Sequence, residues 1–172
     1  KELSPLIKVL EKNPQFMVLS DDIYNQLVFN GAKFAPHLLK LAPHLKEQVI
    51  SISGASKTYS MTGWRVGWTI GPKLFSKHMA DLVGQMTTNT TSISQMAALA
   101  AIKKSGPEVK QIIDTLKRKC DSFCNQINLI PGFRAIKPDG AFYIWTDISD
   151  FYKNLLLKNS KDIAQILLEE FY

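Results

Sequence analysis

Three short apolar runs, QFMVLS (15–20), QVISIS (48–53) and RVGWTI (65–70), constrain what this chain can fold into more than any other feature. Each is too short for a stable helix and is bounded by turn or breaker residues, so each reads as a buried strand. Asn13-Pro14 precedes the first and Gly71-Pro72 ends the third. Between the first two, Asn30-Gly31 marks a turn, and Pro36 and Pro43 break up the segment that follows. Ser4-Pro5 offers a cap and a first-turn proline for an opening helix whose apolar face is Leu6, Val9 and Leu10. Residues 73–88, 92–104 and 107–128 repeat with helical spacing. After Pro131-Gly132, FRAI (133–136) and AFYIWTDI (141–148) form a strand pair turned at Pro138-Asp139-Gly140. Ser160 is placed to cap a last helix, KDIAQILLEEFY. This order predicts an α/β protein with a small α+β piece from about residue 130 onward.

Composition narrows the class. A hydrophobic content of 45% with 21% charged residues belongs to a chain that folds around a core. No apolar run approaches the roughly 18 residues that a membrane span requires, and KELSPLIKVLEK at the start lacks the apolar centre of a signal peptide. The chain also opens without Met, which points to a start inside a longer protein. The net charge of +6 raises the question of nucleic acid. However, the basic residues are scattered, and the densest cluster, Lys117-Arg118-Lys119, falls on a helical pattern as a solvated face. Neither a nucleic-acid nor a membrane partner is expected. Cys120 and Cys124 share a helix face without zinc-type partners, and His37, His44 and His78 form no ligand cluster. Reduced thiols, a cytoplasmic location and no metal are the expectation.

The candidate chemistry is densest in SGASKTYSMTGWRVGW (53–68). A nucleophilic lysine needs its amine partly neutral, which calls for burial or a neighbouring positive charge. A strand–loop–strand setting, with Gly54, Ala55 and Ser56 ahead of it, holds Lys57 at a sheet edge. Arg65 supplies positive charge and a fork for a phosphate. Taken alone, a solvated loop lysine accounts for the same residues. Asp21 follows FMVLS at the carboxyl end of a strand, where open α/β sheets bind ligands. Tyr24 can reach a neighbouring phenolate oxygen. By themselves Asp21 and Asp22 also read as a turn or cap pair, and Tyr24 as a core residue. Tyr59, Trp64 and Trp68 read as packing residues and Met61 as core or loop packing. Together, however, a lysine, an acid, hydroxyls and a cation are what pyridoxal 5'-phosphate requires.

LSDDIYNQLVF and SISGASKTYSMTGWRVGW, in this order and at this separation, resemble the two signatures of the class I aminotransferases, pyridoxal phosphate-dependent enzymes of fold type I. GQMTTNTTSISQMAALAAI (84–102) and PDGAFYIWTDIS (138–149) resemble later segments of the same family, so the likeness covers essentially the whole chain. Within the first, the polar run Thr87 to Ser94 resembles a segment near the family's dimer interface and reads equally as an interhelical loop. The resemblance implies that Lys57 forms the Schiff base with the cofactor and then acts as the base of the proton shift. Asp21 would pair with the pyridinium nitrogen, Tyr24 with the ring's O3′, and Arg65 with the phosphate, Ser56 being a second phosphate ligand. Some members carry Ser where this chain has Gly54, so one phosphate contact is missing or replaced. Asp22 stands where Glu is common.

The same resemblance places residues 1–129 in the large cofactor-binding domain and 130–172 at the start of the small one. Family members are about twice as long. The upstream phosphate loop, the ring-stacking aromatic, the Asn to O3′ and the carboxylate-gripping arginine have no counterpart here. The isolated chain is therefore expected to be silent, and its parent to be a homodimeric transaminase acting on an amino acid, aspartate by best match, and a 2-oxo acid. Two rivals share these signatures: a pyridoxal phosphate-sensing domain of a transcription regulator, and another fold type I enzyme.

Overall fold

The computed structural model of the chain describes residues 3–151 and 159–171. Two compact units divide it, Lys1–Ile113 and Asp114–Tyr172.

The first unit is built on a three-stranded sheet of order β1-β2-β3, with β1 Val18–Asp21, β2 Val49–Gly54 and β3 Gly67–Ile70. β1 and β2 run parallel, Val18 opposite Val49 and Asp21 opposite Ile52. β3 returns antiparallel to β2, with Ser51 opposite Ile70 and Gly54 opposite Gly67. A parallel pair needs a crossover, and the chain supplies one on which the core is built. Helix α1 (Ser4–Lys12) contributes Leu10, helix α2 (Leu38–Leu41) contributes Leu38, and a 3₁₀ turn at Pro43–Glu47 contributes Leu45. With Ala42 and Val49 they form one buried cluster, flanked by Ile7, Val18 and Leu39. Pro43 breaks this segment as expected, since α2 ends at Leu41. Pro43 then opens the 3₁₀ turn, where a missing N–H costs nothing. Ser4 is not the cap of α1, since it already lies inside the helix and Leu3 precedes it with no side-chain cap.

Helices α3 (Lys73–Met86) and α4 (Ser92–Lys104) follow the sheet, and α5 (Gly106–Ile127) carries the boundary between the two units. In the second unit β4 (Arg134–Ile136) pairs antiparallel with β5 (Trp145–Asp147). The expected strand over 141–148 shrinks to these three residues. Ala141 sits at φ +60°, a left-handed geometry that ends extended pairing, so the connection is a long loop and not a tight turn at Pro138-Asp139-Gly140. Helix α6 (Ser160–Phe171) is capped one residue before the expected Ser160. The Asn159 side chain accepts from the Lys161 N–H at 2.9 Å, and the Asp162 carboxylate accepts from the Asn159 N–H at 3.2 Å, a reciprocal cap. Cys120 and Cys124 on α5 are buried free thiols, and burial pushes the Cys120 thiol up.

Gly54 and Gly67 face each other where β2 ends and β3 begins. A Cβ on Gly54 would stand 3.0 Å from the Val66 carbonyl oxygen and 3.2 Å from Gly67 Cα, and one on Gly67 would stand 3.0 Å from the Ser53 carbonyl oxygen. Both clashes are with backbone, which cannot swing away as a flexible side chain can. Gly54→Ala is expected to destabilise the fold by about 1–3 kcal/mol, read as a lowered midpoint in urea unfolding.

In the second unit the Asp147 carboxylate accepts from Ser149 side chain and backbone and from Arg134, which holds its pKa at about 2. A lowered carboxyl pKa stabilises the fold above the ordinary value of 3.8, and that contribution fades as pH falls through about 2. An NMR titration of the side-chain carboxyl carbon should place the midpoint near 2. Arg134→Ala should move it upward.

Candidate active site

The C-terminal ends of the parallel strands β1 and β2 lie side by side, because Asp21 pairs with Ile52 and the Asp22 N–H donates to the Ile52 carbonyl at 2.8 Å. From these two ends the chain makes two turns. The first follows β1. The Asn25 N–H donates to the Asp22 carbonyl at 3.0 Å and the Leu27 N–H to the Tyr24 carbonyl at 2.9 Å. Leu27, fully buried, pins that turn down. The second follows β2 and carries Lys57. The Tyr59 N–H donates to the Ala55 carbonyl at 3.2 Å and the Met61 N–H to the Ser56 carbonyl at 3.0 Å, so Lys57 stands in the middle of a tight, helix-like turn. The Ala55 N–H then closes the loop on the Val66 carbonyl at 3.2 Å.

Apolar contacts hold this lysine loop in place. Ala55, Met61 and Val66 are buried together with Ala98 of α4, and Tyr59, Ala97 and Ala101 pack on them. Met61 and Tyr59 thus have the packing roles expected of them. Trp64 and Trp68 do not, since both are exposed. Thr58, beside the lysine, is 1% exposed while Lys57 is half-buried, so the loop turns its hydroxyl in and its amine toward the surface.

The structure brings the five expected residues to one end of the sheet but groups them differently. The Lys57 ammonium lies 5.7 Å from the centroid of the Tyr24 ring, joining the two turns by a cation–π contact. A second tie runs from the Gln26 amide to the Tyr59 hydroxyl at 3.4 Å. Ser56 and Arg65 line one shallow pocket of about 210 Å³ with Ile23, Ser53, Gly54, Val66 and Gly67. Asp21, the last residue of β1, is exposed, and its carboxylate accepts from the Ile23 N–H at 3.3 Å. Arg65 stands at φ +52° and its guanidinium donates to the Thr62 carbonyl at 2.8 Å.

Gly54 lines the pocket that Ser56 and Arg65 share. A serine there would put its Cβ against Val66 and Gly67, so backbone closes the loop at this point. Sequence reasoning passed over Ser53 and Ile23 as pocket walls and His37 and Ser51 as partners of Asp22. A signal for the serines existed: in SIS, Ser51 and Ser53 are two apart on a strand and face the same side.

The whole chain, residues 1–172, matches the family described as aminotransferase class I and II, and it belongs to that family. It is 37% identical over 175 residues to a probable aspartate/prephenate aminotransferase of Rickettsia felis, an alignment covering 99% of this chain and 42% of that protein. It is 38% identical over 156 residues to an aspartate aminotransferase of Geobacillus stearothermophilus, covering 90% and 39%. Among solved structures, the aspartate aminotransferase of Rhizobium meliloti superposes with a TM-score of 0.89 at 31% identity, over 98% of this chain and 43% of that one. The chain thus spans less than half the length of the relatives it matches. Its fold is part of the fold type I transferase large domain with the start of the small α+β domain, and the family works with pyridoxal phosphate. The donor set fits that group, with a primary amine against a phenol, a guanidinium and a hydroxyl on one pocket, and a carboxylate at the adjoining strand end.

Met61→Ala removes the largest side chain from the cluster under the lysine loop. It is expected to cost about 2–5 kcal/mol and to speed amide hydrogen exchange at residues 56–66 ahead of the sheet.

Proposed function

We propose that this chain is the cofactor-anchoring part of a pyridoxal phosphate-dependent aminotransferase that moves an amino group between an amino acid, aspartate in the first instance, and a 2-oxo acid. The observation that carries the reading is the meeting of Lys57 with Tyr24 at the end of the parallel strands, beside a pocket walled by Ser56 and Arg65. The names of the relatives favour a transaminase over a sensor domain or another fold type I chemistry. The full-length protein would act as a homodimer in the cytoplasm, where Cys120 and Cys124 stay as thiols. Its large domain would end at about residue 129 and its small domain begin at 130. Among the described residues no helix is long and apolar enough to cross a membrane.

Pyridoxal phosphate, when bound, supplies an electron sink for breaking a bond at the substrate α-carbon and a place to hold the amino group between half-reactions. The rest falls to the chain. The Lys57 amine would hold the cofactor and would serve as the base that takes the proton from the α-carbon. The Asp21 carboxylate would keep a proton on the pyridine nitrogen. The Tyr24 hydroxyl would donate to the ring's phenolate oxygen. Arg65 holds the phosphate dianion through paired N–H donors, and Ser56 adds a hydroxyl. The Thr62 carbonyl that now accepts from Arg65 keeps the fork close to the pocket it lines.

Borohydride reduction of the full-length protein with pyridoxal phosphate, followed by peptide mapping, should place the label on Lys57. Adding aspartate before reduction should convert the cofactor to its amine form. Lys57→Ala should abolish the label, and Arg65→Ala should weaken cofactor affinity by roughly 10- to 100-fold, the worth of hydrogen bonds to a charged group. A label on another lysine would overturn the assignment.

A further inference from the structure

Asp21 is the last residue of β1 and Asp22 follows it directly, and the two side chains have different surroundings. Asp21 is exposed at the cofactor end, whereas the Asp22 side chain is 12% exposed and lies in a polar knot. Asp22 Oδ1 accepts from Ser20 Oγ at 3.0 Å. Asp22 Oδ2 accepts from Ser51 Oγ at 2.5 Å and stands 3.1 Å from His37 Nε2. His37 Nε2 is also 3.2 Å from Ser51 Oγ. Its backbone is tied as well, since the Asp22 N–H donates to Ile52 and the Asp22 carbonyl accepts from Asn25. One residue therefore joins β1, β2, the start of α2 and the turn that carries Tyr24.

Asp22 can only accept, and the single hydroxyl proton of Ser51 goes to Asp22. Ser51 Oγ can then only accept from His37, so the proton between them sits on Nε2, shared by two oxygens. The trio is not a nucleophilic triad, because the Ser51 hydroxyl donates to the acid and not to the imidazole, and Ser51 is only 5% exposed. Three donors, Ser20, Ser51 and His37, converge on one carboxylate, and it belongs to the residue between Asp21 and the Tyr24 turn.

We propose that Asp22, His37 and Ser51 are positioning residues. They fix the end of β1 so that the neighbouring Asp21 carboxylate meets the pyridine nitrogen and the Tyr24 turn holds its angle. The inference rests on the reading of Asp21 given above. In that case Asp22→Asn is more than a loss of charge. Its amide would present a donor to Ser51 and His37, which are donors themselves, and the end of β1 would shift. Displacement of a catalytic group by about an ångström lowers turnover by up to roughly 100-fold.

The test uses the full-length protein loaded with pyridoxal phosphate carrying ¹⁵N in the ring, whose NMR shift reports whether that nitrogen is protonated. Wild type should show the protonated shift and Asp21→Ala the neutral one. Asp22→Asn and His37→Leu should move the shift part of the way to neutral and lower kcat by roughly 10- to 100-fold with little change in KM. His37→Gln, whose amide N–H can stand in for Nε2–H, should restore both. A merely structural role would lower the melting temperature and leave the nitrogen protonated in every variant that folds. If Asp21→Ala alone leaves the nitrogen protonated, the reading of Asp21 fails and this inference with it. If Asp21→Ala neutralises it while His37→Leu and Asp22→Asn do not, or if His37→Gln behaves as His37→Leu, the positioning role is overturned and the reading of Asp21 stands.

Discussion

The close approach of Gly54 to Gly67 governs the geometry of everything beyond it. Two strands joined by a loop of a dozen residues would ordinarily let that loop wander. Here the first and last loop residues are locked by the bond from the Ala55 N–H to the Val66 carbonyl, immediately after a strand pair with no side chain on either partner. The backbones come so close that a Cβ on either glycine would stand 3.0 Å from a carbonyl oxygen of the other strand's end. The loop is therefore anchored at its neck, and Ala55, Met61 and Val66 then fasten its body to α4. Lys57 inherits a fixed place from residues that carry no chemistry themselves.

A second constraint comes from parallel pairing. Because β1 and β2 point the same way, their carboxyl ends share one edge, and whatever follows either strand is delivered to the same place. The turn after β1 brings Tyr24 and the loop after β2 brings Lys57. The two meet although they are far apart in the chain. Inward-facing polar groups keep the edge from fraying: Ser20, Ser51 and His37 all contact the Asp22 carboxylate, while Asp21 faces out. Two consecutive residues of the same type thus divide, Asp22 to the polar knot and Asp21 to the surface.

Much of this was legible in the sequence, and the reason differs from part to part. The strands and the long helices follow from hydrophobic periodicity, a local property, and α4 begins and ends where its spacing predicts. Lys57, Arg65, Asp21 and Tyr24 were legible through two motifs whose pairing is more specific than either element. The His37–Asp22–Ser51 knot was not, because Ser51 lies 29 positions from Asp22 and no periodicity links a residue at the start of α2 to the end of β1. The short β5 was misread because aromatic residues over 141–144 favour extended structure, while Ala141 takes a left-handed turn that composition does not announce. Proline signals a boundary, and at Pro43 one element has ended and the next begins.

Arg65 holds φ +52°, a region where an L-residue other than glycine, asparagine or aspartate rarely rests. That conformation costs of order 1 kcal/mol, and nothing in the local packing calls for an arginine, since the side chain is exposed. Judged by folding alone, glycine would suit the position better. The chain thus gives up stability at one backbone position and keeps a guanidinium at the pocket wall, a local case of the trade between robustness and activity. Selection for thermal stability alone would drift toward Arg65→Gly and reach a sturdier protein without a guanidinium at the pocket wall.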